Sequence, residues 1–155
     1  MVARLTLAST FLAASLLGCA SPTPRFAPAA SAACVQGASE TYSECTLKIE
    51  VIDCGRADGY RVSEPDLYVA DPSRIEWEIV TTGYEFREDK RGIEILWNTG
   101  GVFEQPRPHG PRKFSWRDKH RNSLQFKPES FYYYIYIKRK NGADCEPFDP
   151  WISNW

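Results

Sequence analysis

Thr46-Leu47-Lys48-Ile49-Glu50-Val51-Ile52-Asp53 alternates polar and apolar side chains. Successive side chains of an extended strand point to opposite faces, so this period of two predicts a strand with Leu47, Ile49 and Val51 turned toward a core. Ile75-Glu76-Trp77-Glu78-Ile79-Val80 repeats the pattern and makes Ile75, Trp77 and Ile79 the central core set. Phe131-Tyr132-Tyr133-Tyr134-Ile135-Tyr136-Ile137-Lys138 is the strongest strand in the chain, being rich in aromatic and β-branched residues. It places Phe131, Tyr133, Ile135 and Ile137 on one face and Tyr132, Tyr134 and Tyr136 on the other. That tyrosine ladder is either covered by the C-terminal segment, with Phe148, Trp151 and Trp155, or exposed as a platform. The covered arrangement is expected.

Working outward, Leu67-Tyr68-Val69 precedes Asp71-Pro72-Ser73-Arg74, where proline suits the second position of a type I turn. Together with residues 75–80 this predicts a hairpin. Tyr84-Glu85-Phe86, Ile93-Glu94-Ile95-Leu96-Trp97, Lys113-Phe114-Ser115-Trp116-Arg117 and Leu124-Gln125-Phe126-Lys127 are shorter strand candidates. Residues 104–112, with their Pro, Gly, His and Arg, are expected to form a long loop, and Asn141-Gly142 is a hairpin dipeptide that would fold residues 143–146 back onto the last strong strand. No stretch has helical period and length. Seven or eight short strands with frequent turns predict an all-β antiparallel β-sandwich, immunoglobulin-like or cupredoxin-like, in one domain over residues 34–155.

At the other end of the chain, residues 5–17 form an apolar run that closes on Leu16-Leu17-Gly18-Cys19. The run is too short to cross a bilayer, which takes roughly 20 apolar residues, and has the proportions of a signal-peptide core. Its ending resembles the lipobox of bacterial lipoproteins, a likeness confined to the first twenty or so residues. The resemblance implies that residues 1–18 are a lipoprotein signal peptide and that Cys19 carries the acyl chains. Leu17 departs from the smaller residue usual at its position, and Arg4 alone makes a thin positive start. Each buried methylene contributes about 0.8 kcal/mol, so several chains on one residue would hold the protein firmly. Ala20 stands where an inner-membrane retention aspartate would stand in that family, which in a Gram-negative host implies the outer membrane, facing the periplasm. Residues 20–33 are rich in Ala, Ser and Pro and are read as a flexible tether.

The remaining cysteines, Cys34, Cys45, Cys54 and Cys145, are even in number and suit an oxidising compartment, so two disulfides are expected. Of three connectivities, the one pairing Cys45 with Cys54 is disfavoured. A strand advances about 3.3 Å per residue, and those two stand at opposite ends of one. Cys34–Cys45 with Cys54–Cys145 is preferred over Cys34–Cys54 with Cys45–Cys145, because the first and last core strands of many sandwiches run parallel and would bring Cys54 and Cys145 to one end. Residues 65–69 and 75–77 are similar to the early strands of cupredoxins, and Asp149-Pro150-Trp151-Ile152-Ser153-Asn154 resembles the tails of small exported bacterial β-sandwich proteins of unassigned function.

Chemistry is sparse. A blue-copper centre needs two imidazoles and a thiolate, usually with a methionine. Beyond the leader the chain has His109, His120, no methionine, and cysteines already spoken for as disulfides. No C-x-x-C occurs, so neither a metal nor another cofactor is expected. Glu76 and Glu78 share a strand face as a carboxylate pair could in glycoside cleavage, yet two acids on the polar side of a half-buried strand more often form a solvated face. No nucleophile motif marks a catalytic residue.

Charge is uneven: residues 19–104 hold eight Lys and Arg against fifteen Asp and Glu, and residues 105–155 hold ten against five. The basic segment Arg107, Arg112, Lys113, Arg117, Lys119 and Arg121, interleaved with Trp116, is a candidate partner-binding surface or else a solvated loop neutralised by the acidic half. The sequence as a whole predicts a lipid-anchored, non-catalytic envelope protein that binds another envelope protein. A glycan- or peptidoglycan-binding module is one alternative, and a small periplasmic enzyme or copper carrier another. Nucleic acid is not expected as a partner.

Overall fold

The computed structural model describes residues 31–37, 43–89, 92–98, 101–120 and 129–154. The expected signal peptide, Cys19, most of the expected tether, Arg121, the strand candidate at 124–127 and Trp155 lie outside the described residues. Alternation does what it predicts. Leu47, Ile49 and Val51 turn inward from β2 (Ser43–Val51), and Ile75, Trp77 and Ile79 from β5 (Ser73–Ile79), all buried.

These two strands lie at the centre of a six-stranded sheet. Its order is β1 (Cys34–Gln36), β2, β5, β9 (Lys113–Asp118), β8 (Phe103–Pro108), with β3 (Tyr60–Val62) also pairing with β2. A second sheet runs β4 (Asp66–Val69), β12 (Trp151–Asn154), β10 (Glu129–Ile135), β7 (Ile93–Ile95). A short ladder joins β6 (Tyr84–Phe86) to β11 (Ile137–Arg139).

The inner faces of the two large sheets meet in one core. Trp77 of β5 packs on Tyr133 of β10 with ring centroids 5.3 Å apart, and Phe103 of β8 meets Phe131 of β10 edge-on at 4.9 Å. The chain is therefore an all-β sandwich, with no helix among the described residues. Most pairings are antiparallel, but β2 with β5 and β4 with β12 run parallel. The parallel pairs depart from the expected all-antiparallel sheets.

Both disulfides form as preferred, Cys34–Cys45 and Cys54–Cys145. The first staples directly opposed residues of β1 and β2. The second ties the end of β2 to the turn after β11, where Cys145 N donates to Ile137 O and Glu146 N to Cys54 O. The expected reason differs from the observed one, since β2 and β12 lie in different sheets.

Three element expectations are corrected. Residues 66–80 are no hairpin: β4 and β5 belong to opposite sheets, and the turn at Ala70-Asp71-Pro72 carries the chain across the core. Two apolar faces can bury each other across a sandwich as well as side by side, and alternation cannot tell these apart. Residues 103–108 are a strand despite Pro106 and Pro108, because β8 is an edge and proline is tolerated where no ladder partner needs its N–H. The aromatic strand breaks at Tyr136 into β10 and β11, where Tyr136 N donates to Gly92 O and Tyr136 O accepts from Arg87 N. Its inward register survives the break: Phe131, Tyr133, Ile135 and Ile137 are all buried.

Candidate functional site

Two surfaces stand out, one on the outward face of each large sheet. On the β10 sheet, Tyr132 projects away from the core between Trp97, just past β7, and Trp151, its cross-strand neighbour on β12. The three are 39%, 70% and 40% exposed respectively. Trp97 meets Tyr132 at 5.7 Å and 87°, and Tyr132 meets Trp151 at 5.9 Å and 72°, both edge-to-face. Edge-to-face contact is the arrangement that ring quadrupoles favour. Trp97 also holds a left-handed backbone, φ 50°, which is unusual for a bulky side chain. The expected covering of the tyrosine ladder is thus corrected at Tyr132, the part of that expectation falling on Trp155 lying outside the described residues. Trp151 stands beside Tyr132 instead of over it, Phe148 turns away to stack on Tyr60, and Tyr134 and Tyr136 pack on each other half-buried.

On the other sheet, β5, β9 and β8 enclose a groove of about 540 Å³ lined by Arg74, Gln105, Arg107, Ser115, Trp116 and Arg117. The ladder explains why they meet. Arg74 lies directly opposite Arg117 across the β5–β9 pair, and Arg107 opposite Ser115 across β8–β9. The register of β8 slips between Glu104 and Arg107, and there Gln105 takes a left-handed φ of 55°. A bulge of this kind re-aims side chains at the rim of a sheet. His109 Nε2 lies 2.7 Å from Arg74 Nη2 and 2.9 Å from Ser115 Oγ. A guanidinium can only donate, so the imidazole nitrogen accepts and the ring's proton resides on Nδ1.

The sequence-predicted basic segment does not act as one surface. Arg112 is turned back onto the protein, donating through Nε and Nη2 to Ile79 O at 2.8 and 2.6 Å, where it caps the end of β5. Lys113 is held between Glu76 at 3.1 Å and Glu78 at 3.5 Å, which raises its ammonium pKa through the Glu76 hydrogen bond first and both charges after it. Lys119 pairs with Glu104 at 3.0 Å. Trp116 is half-buried and donates its indole N–H to Ile93 O at 3.1 Å, bridging the two sheets. Only Arg107 and Arg117 of the charged set remain in the groove with Trp116 beside them, while Arg121 lies outside the described residues. Much of the charge asymmetry is thereby absorbed, because the basic later residues pair with acids of the first half.

Sequence reasoning missed Arg74. It falls in the acidic half, and only the β5–β9 pairing brings it to the basic residues. The Glu76 and Glu78 carboxylates share Lys113 between them. His109 and His120 stand in separate settings, the latter with its backbone N–H on Asp118 Oδ1 at 2.7 Å. Among the described residues no three His, Cys, Asp or Glu side chains gather as a metal site would require. No protein-family model matches the chain, and no curated protein is significantly similar to it.

Proposed function

We propose that the protein is a non-catalytic binding module of the bacterial envelope, lipid-anchored at Cys19 on the periplasmic side of the outer membrane, that works by contacting another envelope protein. The observation that carries this reading is the exposed Trp97, Tyr132 and Trp151 cluster. Tryptophan and tyrosine offer large contact area with little side-chain entropy to lose, and they dominate the energetic centres of protein interfaces. Rings meeting at 87° and 72° present a knobbed surface, which suits a protein partner better than the flat plane on which a sugar ring stacks. Two disulfides accord with an oxidising compartment. The address itself rests on the apolar run ending at Cys19.

A photo-crosslinking amino acid at Trp151 in intact cells tests the contact. The reading predicts one adduct of defined mass with an envelope protein, lost when Trp97 and Tyr132 are alanine and absent when the same crosslinker replaces the exposed Ile52, just past β2. Equal adducts from positions 151 and 52, or none, would refute it. A tryptophan fluorescence shift with peptidoglycan fragments, and no adduct, would move the assignment to a glycan.

A further inference from the structure

Independently of where the protein resides, we infer that the groove between β5, β9 and β8 is a binding site for a phosphate monoester carried on a small organic group. Arg74 and Arg117 face one another on adjacent strands, an arrangement that like charges make unfavourable unless an anion lies between them. The carboxylates that pair with them do so at long range and are shared. Glu76 is 3.8 Å from Arg74 but 3.1 Å from Lys113, and Glu104 is 3.7 Å from Arg117 but 3.0 Å from Lys119. Arg107 lines the same groove with no ion pair or side-chain hydrogen bond among the described residues. Around the groove five cations, Arg74, Arg107, Lys113, Arg117 and Lys119, stand against four carboxylates, Glu76, Glu78, Glu104 and Glu44, the last directly opposite Arg74 on β2. The balance stays positive, which suits an anion such as a phosphate monoester, carrying about −1.5 to −2 at neutral pH.

Donor geometry favours the same ligand. Three guanidiniums and the Gln105 amide offer more N–H groups than the two oxygens of one carboxylate can accept, whereas a phosphate presents three terminal oxygens and takes bidentate arginine contacts. His109, accepting from Arg74 Nη2, holds that side chain in place and adds no charge in this tautomer. A volume of about 540 Å³ exceeds what a bare anion fills and lies within the range of small-molecule sites, so an organic carrier is accommodated.

Calorimetric titration of the full chain at low salt tests this, with glucose 6-phosphate as the soluble probe and succinate as the carboxylate comparison. Flotation of a Cys19→Ala chain, which carries no acyl anchor, with phosphatidylcholine vesicles with and without phosphatidic acid tests a lipid-borne source. The expected result is saturable binding of the sugar phosphate, or retention specific to phosphatidic acid, with succinate much weaker. Arg107→Ala should weaken binding about tenfold, the loss of one charge-assisted hydrogen-bonding partner. Glu104→Gln should tighten it, and Arg56→Ala, in a separate exposed ion pair, should leave it unchanged. Binding of the sugar phosphate identifies a soluble ligand, and retention by phosphatidic acid alone identifies a membrane one. Three results would each overturn the inference: neither probe bound, succinate binding as tightly as the phosphate, or Arg107→Ala behaving like Arg56→Ala.

Discussion

Tyr133 lies wholly inside the sandwich, its hydroxyl near the Trp77 indole but without a hydrogen bond of ordinary geometry, and burial drives its phenol pKa upward. A buried hydroxyl left unpaired forfeits its hydration, so Tyr133→Phe should be neutral or stabilising by up to about 1 kcal/mol, whereas Trp77→Ala should cost about 3 to 5 kcal/mol through the cavity it leaves. Urea unfolding of the two variants checks both. Asp118 is a second residue whose chemistry follows from enclosure. Burial pushes its carboxyl up to about 6, against the opposing hydrogen bonds from His120 N and Asn154 Nδ2. An acid with a raised folded pKa binds more protons folded than unfolded between the two values. Stability should therefore fall as pH rises from about 4 to about 6, by about 3 kcal/mol in all, and level off above. Asp118→Asn should flatten that slope in unfolding curves taken across the window. Of these residues, Trp77 and Tyr133 were legible as inward-facing from alternation alone. Ser73, Asp118 and Asn154, all buried and polar, were not, because their letters read as turn or surface.

The strands themselves were legible where the apolar period was strict, as in β2, β5 and β10, and illegible where it was not. The prolines of β8 read as loop because sequence does not say which strand will be an edge, and the partner of β4 lies at the far end of the chain. Cysteine spacing did constrain the pairing, since an extended β2 separates Cys45 from Cys54. In the chain-entropy view, Cys54–Cys145 closes 91 residues and Cys34–Cys45 closes 11. Removing the former should cost about 4 to 5 kcal/mol and the latter about 3 kcal/mol. Paired Cys→Ala variants compared by chemical unfolding measure the difference. The turn between β2 and β3 depends on Gly59, whose carbonyl accepts from both Ile52 N and Asp53 N, and an added Cβ would fall 1.8 Å from Asp53 O. Gly59→Ala should displace that turn and lower stability by about 1 to 3 kcal/mol, the usual range for overpacking.

At the scale of the molecule, the sandwich divides its outside into two unlike faces, an aromatic one on the β10 sheet and an arginine-lined groove on the β5 sheet. The basic segment contains two of the groove's arginines, but linear charge could not reveal that Arg112 caps β5, that Lys113 and Lys119 are paired with acids, or that Arg74 joins the groove. Those facts depend on strand register, which joins residues far apart in the chain. The aromatic face gains its proposed meaning from tethering, because a module held at a membrane meets envelope partners at high local concentration. The most direct measurement is the intact mass and amino-terminal peptide of the protein extracted from membranes. The proposal predicts a mature chain beginning at Cys19 with a diacylglyceryl thioether on its sulfur; a mature terminus elsewhere, or an unmodified Cys19, would contradict it.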